Sequence, residues 1–264
     1  MALLNGNGVD PSVNVTFTKF LFIIPARDDD AARTRMRIAG GLIARGFFND
    51  FDADGSREAQ PTETIQFLIA DRTNGPDSIR AARYAAHVSA NYRPRLQEVE
   101  LELRRRLGDT ATVIALDGAI RAPRYTSAEL YAFAYKRALP RMSGRFMANA
   151  IVLPMSKSAD WWNKPPLDRH AYFYPHQEAG GCPVKGHARA AEAGVQTIYR
   201  RLYHNPDGYG RDREFDFITY FECTNEHLAT FDAVCAALRD TRQNPEWQYV
   251  IEGPEWRGRR VPRW

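Results

Sequence analysis

Strand and helix signals alternate along this chain in two successive sets, and that order restricts the fold more than any other feature. In the first set, the β-branched and aromatic run Val15–Ile24 reads as a strand. Asp28, Asp29 and Asp30 offer a helix start, Ala32, Met36, Ala39 and Ile43 share one face, and Gly46 closes the helix. Thr64–Ala70 reads as a strand, Ile79–Leu107 as helical with a break at Pro94, and Thr112–Leu116 as a short strand. Leu96, Val99, Leu103 and Leu107 give the long helix its apolar stripe. The second set follows a linker at Pro140–Gly144. It runs from a strand at Phe146–Pro154 through helix and turn signals at 157–170 to a short helix at Ala188–Gly194. A strand at Gln196–Tyr203, a turn at Asn205–Asp212 and a strand at Phe215–Cys223 come next. A helix capped by Asn225, with Leu228, Phe231, Cys235 and Leu238 on one face, leads to a final strand at Tyr249–Ile251.

Helices able to cover one face of a sheet in both sets make the chain α+β. The element order implies two related halves, 1–142 and 143–264, although no residue-level repeat joins them. The Asn- and Gly-rich stretch Leu4–Val13 reads as a tail. With 264 residues and 44% hydrophobic content, a sizeable core is available. The net charge of +4 comes mostly from Arg spread along the chain, which does not argue for nucleic acid. It is compatible with an anionic substrate or a cofactor bearing carboxylates. Cys182, Cys223 and Cys235 form no disulfide framework, and an odd count fits a reducing compartment. Met1–Pro11 lacks a signal-peptide pattern and no segment is long and apolar enough to span a membrane, so the expectation is a soluble, cytoplasmic protein.

Unusual residues concentrate between Lys157 and Trp256. Trp161 and Trp162 are adjacent, so their indoles face different directions, as core filler and interface would. His170, His176, Cys182 and His187 fall in a short span. Imidazole is the commonest metal ligand, but the spacing matches no familiar zinc pattern, and a lone His is more often structural. Arg200 on a strand is ordinarily ion-paired or at the surface.

Taken together, the pattern Lys157-x-x-x-Trp161-Trp162, a following His, Arg200-Arg201-Leu202-Tyr203-His204 and Asp216-Phe217-Ile218-Thr219-Tyr220-Phe221-Glu222 resembles the chlorite dismutase family in order and wording. The resemblance covers about Arg121–Gly253, densest from Lys157 onward; the first half resembles the family only in element order. It implies two ferredoxin-like halves packed as a dimeric α+β barrel-type fold, with haem b in the second half. It also implies homo-oligomeric assembly, often as pentamers, in keeping with the need to cover edge strands.

The resemblance assigns roles residue by residue. His187 is the proximal iron ligand if the spacing to Arg200 is kept, and His176 if the spacing from Trp162 is kept. An insertion around Gln177–Gly186 prevents both, and we favour His187 because the helix-to-strand connection tolerates insertion least. Arg200 is the distal arginine, able to hold an oxyanion. Tyr125, Lys157 and Trp161 surround the haem and its propionates, and Trp162 supports packing and assembly. The family pairs its proximal His with a Glu; direct alignment puts Gln243 there, and Glu246 supplies the charge if the alignment slips. The implied activity is chlorite decomposition to chloride and dioxygen, with a small anionic substrate and no nucleic-acid or membrane partner. The alternatives are peroxidase or oxygenase chemistry on another substrate, or a haem-binding protein without enzymatic activity.

Overall fold

The computed structural model describes residues 17–49, 51, 63–75, 78–120, 132–133, 137–139, 146–177, 183–209 and 215–264. Strand β1 (Phe17–Pro25) leads into α1 (Asp30–Ile43), whose start is fixed by Asp29 Oδ1 accepting from the Ala32 amide at 2.7 Å. Strands β2 (Thr64–Ala70) and β3 (Tyr84–Ala90) follow, then α2 (Arg93–Leu107) and β4 (Ala111–Ala119). The second half comprises β5 (Asn149–Lys157), α3 (Ala159–Asn163), α4 (Pro166–Ala171), α5 (Gly186–Ala190), β6 (Tyr199–His204), β7 (Phe217–Cys223), α6 (Leu228–Arg239), β8 (Val250–Glu252) and β9 (Trp256–Val261).

Pairing is antiparallel throughout these strands. The first half has the order β4-β1-β3-β2 and the second β6-β7-β5-β9, with β8 on the far end of β5. Both are the ferredoxin-like order, so the expected α+β class with two such halves holds. Contacts of β9 with β2 and of β4 with β6 join the sets into a closed ring. The second seam has a single paired position, Ala119 with His204. There a Cβ on Gly118 would lie 2.6 Å from the Tyr203 Cβ, so only glycine permits the approach. The β9–β2 seam pairs along four positions, whereas most of the facing edges of β4 and β6 are unpaired.

Alternation sorts the side chains into an inner and an outer layer. Phe20, Phe22, Val152, Tyr199, Tyr220 and Trp256 fill the barrel interior. Leu21, Ile23, Ile65 and Val88 face α1 and α2, meeting Met36, Ile43, Leu96 and Leu103. Ile151 and Cys223 meet Phe231 and Cys235 of α6.

Three sequence expectations change. Ile79–Leu107 is not one helix: Ile79–Ala81 is a 3-10 turn, Tyr84–Ala90 is β3, and the helix begins at Arg93 with Pro94 in its first turn rather than at a break. The small residues of Tyr-Ala-Ala-His-Val-Ser-Ala mimic a helical stretch, but β3 sits between β1 and β2 with every residue buried, and tertiary pairing prevails. Asn225 does not cap α6; it opens a 3-10 turn, Asn225–His227, ahead of it. Tyr249–Ile251 is not the last strand, because β9 lies beyond it and carries Trp256 into the core. Among the described residues, no helix is long and apolar enough to cross a membrane.

Candidate functional site

On the outer face of the second-half sheet, α6 leaves a cavity of about 240 Å³ between itself, α5 and the strands. Phe221 and Phe231, with ring centroids 5.0 Å apart, meet at its wall. The floor is apolar, made by Leu153, Met155, Leu202, Phe217 and Phe221. Leu202 remains 38% exposed there, unusual for a Leu in mid-strand. Basic side chains surround this floor: Lys157, Arg169, Arg200, Arg201 and Arg239.

His187 reaches the cavity from α5. Gly186 makes this possible, with φ +65 and a position where a Cβ would sit 2.4 Å from the Tyr174 carbonyl oxygen. The His187 and Ala188 amides donate to the Tyr172 and Phe173 carbonyls at 3.1 and 3.0 Å, docking α5 on the end of α4. The imidazole stacks on Phe173 at 6.0 Å, and its Nδ1 lies 3.0 Å from Glu246 Oε2. Lys157 Nζ donates to Glu246 Oε1 at 2.5 Å and sits 4.1 Å above the Trp161 ring. Burial alone would raise the Glu246 carboxyl, but Lys157 and His187 hold it well below the usual carboxylate range. Burial pushes the Lys157 ammonium down, against the opposing pull of Glu246. The carboxylate is therefore ionised and engages one imidazole nitrogen, Nδ1, so Nε2 is the nitrogen able to act as a ligand.

Glu246, not Gln243, contacts His187. Gln243 acts through its backbone: its carbonyl accepts from the Lys185 and Gly186 amides at 2.9 and 3.1 Å and so anchors the start of α5. His176 is elsewhere, on a two-residue ladder with Val184, its Nδ1 3.0 Å from the Tyr174 carbonyl. Among the described residues, no group of three or more His, Cys, Asp or Glu forms a metal cluster of the zinc type. Cys182 and Tyr125 lie outside the described residues.

Arg200 lines the cavity from β6, its guanidinium carbon 4.8 Å from the Phe133 ring. Trp161 is buried beneath Lys157, in ring contact with Tyr172 and Tyr249, and is not part of the cavity wall. Trp162 is part of that wall: it stacks on Tyr209 at 4.7 Å and donates from Nε1 to Asp216 at 3.2 Å. His204, in the wall with its Nδ1 2.6 Å from the Tyr209 hydroxyl, is a cavity residue that stands in the motif but receives no role from it. Period-two alternation through Arg200, Leu202 and His204 was the available signal.

The donor set fits a haem. A carboxylate-backed imidazole, an apolar floor and a basic surround are what an iron porphyrin with two propionates needs.

No protein-family model matches the chain. Among solved structures, a tryptophan-to-phenylalanine variant of chlorite dismutase from Candidatus Nitrospira defluvii, in complex with cyanide, aligns over 94% of this chain and 91% of that one at 21% identity, with a TM-score of 0.65. The same enzyme in complex with imidazole aligns over 94% and 92% at 21% identity, with a TM-score of 0.63. An arginine-to-alanine variant aligns over 94% and 91% at 20% identity, with a TM-score of 0.64. The chain therefore has the fold of these chlorite dismutases.

Proposed function

We propose that this protein is a haem b-dependent oxidoreductase that decomposes chlorite to chloride and dioxygen. The observation that carries the reading is the His187–Glu246–Lys157 chain opening on a cavity whose sheet wall bears Arg200. His187 would hold the haem iron through Nε2, the imidazole nitrogen not engaged by Glu246. A bound haem would supply the oxygen-atom and electron transfer, which no side chain here can. Glu246 keeps a proton on Nδ1 and makes the imidazole a stronger donor, while Lys157 balances the buried carboxylate. The Arg200 guanidinium, charged at any working pH, holds the anionic substrate and stabilises charge developing on oxygen. The apolar floor excludes water from that contact. Basic side chains around the cavity attract both the substrate anion and the cofactor's carboxylates. The cyanide and imidazole complexes of the Nitrospira enzyme support a site of this fold that accepts small ligands. An amide beside the ligand, which would have favoured other haem chemistry, is not what His187 meets.

Haem added to the purified protein is expected to give a Soret band that His187→Ala abolishes and His176→Ala leaves. On an oxygen electrode, chlorite should release dioxygen, and Arg200→Ala should keep the haem while cutting the rate by about 100-fold. No oxygen from the haem-loaded wild type would refute chlorite turnover and leave peroxidase, oxygenase or carrier roles. Haem retained in His187→Ala and lost in His176→Ala would move the ligand to His176.

A further inference from the structure

The sheet wall of the cavity carries one hydroxyl with no structural employment. Phe217, Thr219 and Phe221 face the cavity from β7, and Thr219 stands in register with Leu202 on one side and Leu153 on the other. Thr219 is 5% exposed, and its Oγ1 has no hydrogen-bond partner among the described residues. Elsewhere in the barrel a strand threonine avoids this: Thr18 Oγ1 donates to the Val88 carbonyl at 3.0 Å. A buried hydroxyl without a partner is unfavourable, and valine would fill the same space without that cost. A threonine here needs a reason other than packing.

Arg200 supplies the context. It is in register with Phe221, so Thr219, two residues away on the same face, is its diagonal neighbour across the β6–β7 pair. Long side chains reach across that diagonal. A donor with fixed charge and a neutral donor thus line one stretch of an otherwise apolar floor.

We propose that Thr219 Oγ1–H is a second hydrogen-bond donor, beside the Arg200 guanidinium, for the small inorganic anion bound at this wall. The inference rests on the haem reading given above. Arg200 supplies attraction to any anion. Thr219 adds selectivity, because only a ligand with an acceptor atom toward β7 satisfies its hydroxyl. Thr219 is a positioning residue, and its contribution is to affinity and orientation.

The test uses haem-reconstituted full-length protein titrated by absorbance with two probes, fluoride and imidazole. Fluoride accepts hydrogen bonds strongly, whereas imidazole coordinated through one nitrogen has no acceptor left for the Thr219 hydroxyl. Thr219→Val is expected to weaken fluoride binding about tenfold, the worth of one hydrogen bond to a charged ligand, and to change imidazole binding by less than about twofold. Thr219→Ser, which keeps the donor, should restore fluoride affinity. Unchanged fluoride affinity in Thr219→Val with haem retained would overturn the role of Thr219 alone. Parallel weakening of both probes, or no rescue by serine, would also overturn it by pointing to packing. A wild type that takes up no haem would overturn the cavity reading and this inference with it.

Discussion

Glu246 is held by Lys157 and His187 together, and each contact depends on its charge. Removing that charge while keeping the shape leaves Lys157, 10% exposed, without its counter-ion. Glu246→Gln is therefore expected to destabilise the fold by about 2–3 kcal/mol in urea titrations at pH 7, below the full buried-pair value because both side chains retain some exposure. Lys157→Met in the same chain should recover much of the loss, since the two sites share one interaction. Gln243→Ala should stay within about 0.5 kcal/mol, because its anchoring contact is a backbone carbonyl that alanine preserves. A larger loss from Gln243→Ala than from Glu246→Gln would reverse the assignment of the partner. At this scale the sequence named the right residue types and left the pairing open. Gln243 and Glu246 are three positions apart around a turn, and only the path of Pro245–Tyr249 decides which side chain points back at α5.

Helix α5 shows what an element of five residues depends on. It is too short to hold itself together, and its start is set by Gln243 on one side and by Tyr172 and Phe173 on the other. Gly186→Ala is expected to cost about 2–3 kcal/mol, because alanine is strained at positive φ and its Cβ meets the Tyr174 carbonyl. Thermal unfolding measures that loss; an unchanged midpoint would show that α5 shifts freely. Elements with strong periodicity were legible: β1, α1, α2 and α6 follow their apolar stripes, with Met36, Leu96, Leu103 and Phe231 inward as expected. Elements defined by their neighbours were not. Strand β3 reads as helix because its three alanines favour helix, and β9, Trp-Arg-Gly-Arg-Arg-Val, shows no strand signal because Arg259 and Arg260 find their partners, Asp71 and Glu222, far away in the chain.

The whole molecule is joined by β9 and by a polar cluster inside the barrel. Trp256 Nε1 donates to the Ala82 carbonyl at 3.0 Å, and Arg260 Nη1 donates to Glu222 Oε2 at 3.0 Å. Glu222 Oε1 in turn accepts from Gln66 Nε2 at 2.7 Å, linking β2 of the first half to β7 of the second. Such buried polar links and a shared core predict one cooperative transition in urea, with tryptophan fluorescence and far-UV circular dichroism coinciding. Two separated transitions would show that the halves fold independently. The sequence alone determined the α+β class, the two-set order and the residue types of the site, because these depend on local periodicity and on side chains near one another in the chain. Ring closure, the choice of Glu246, the removal of His176 and Trp161 from the cavity wall and the exposure of Thr219 to it were decided by tertiary structure. Each depends on which strand face meets which helix, a relation set by pairing over more than 50 residues of separation, as between Phe217 and Met155.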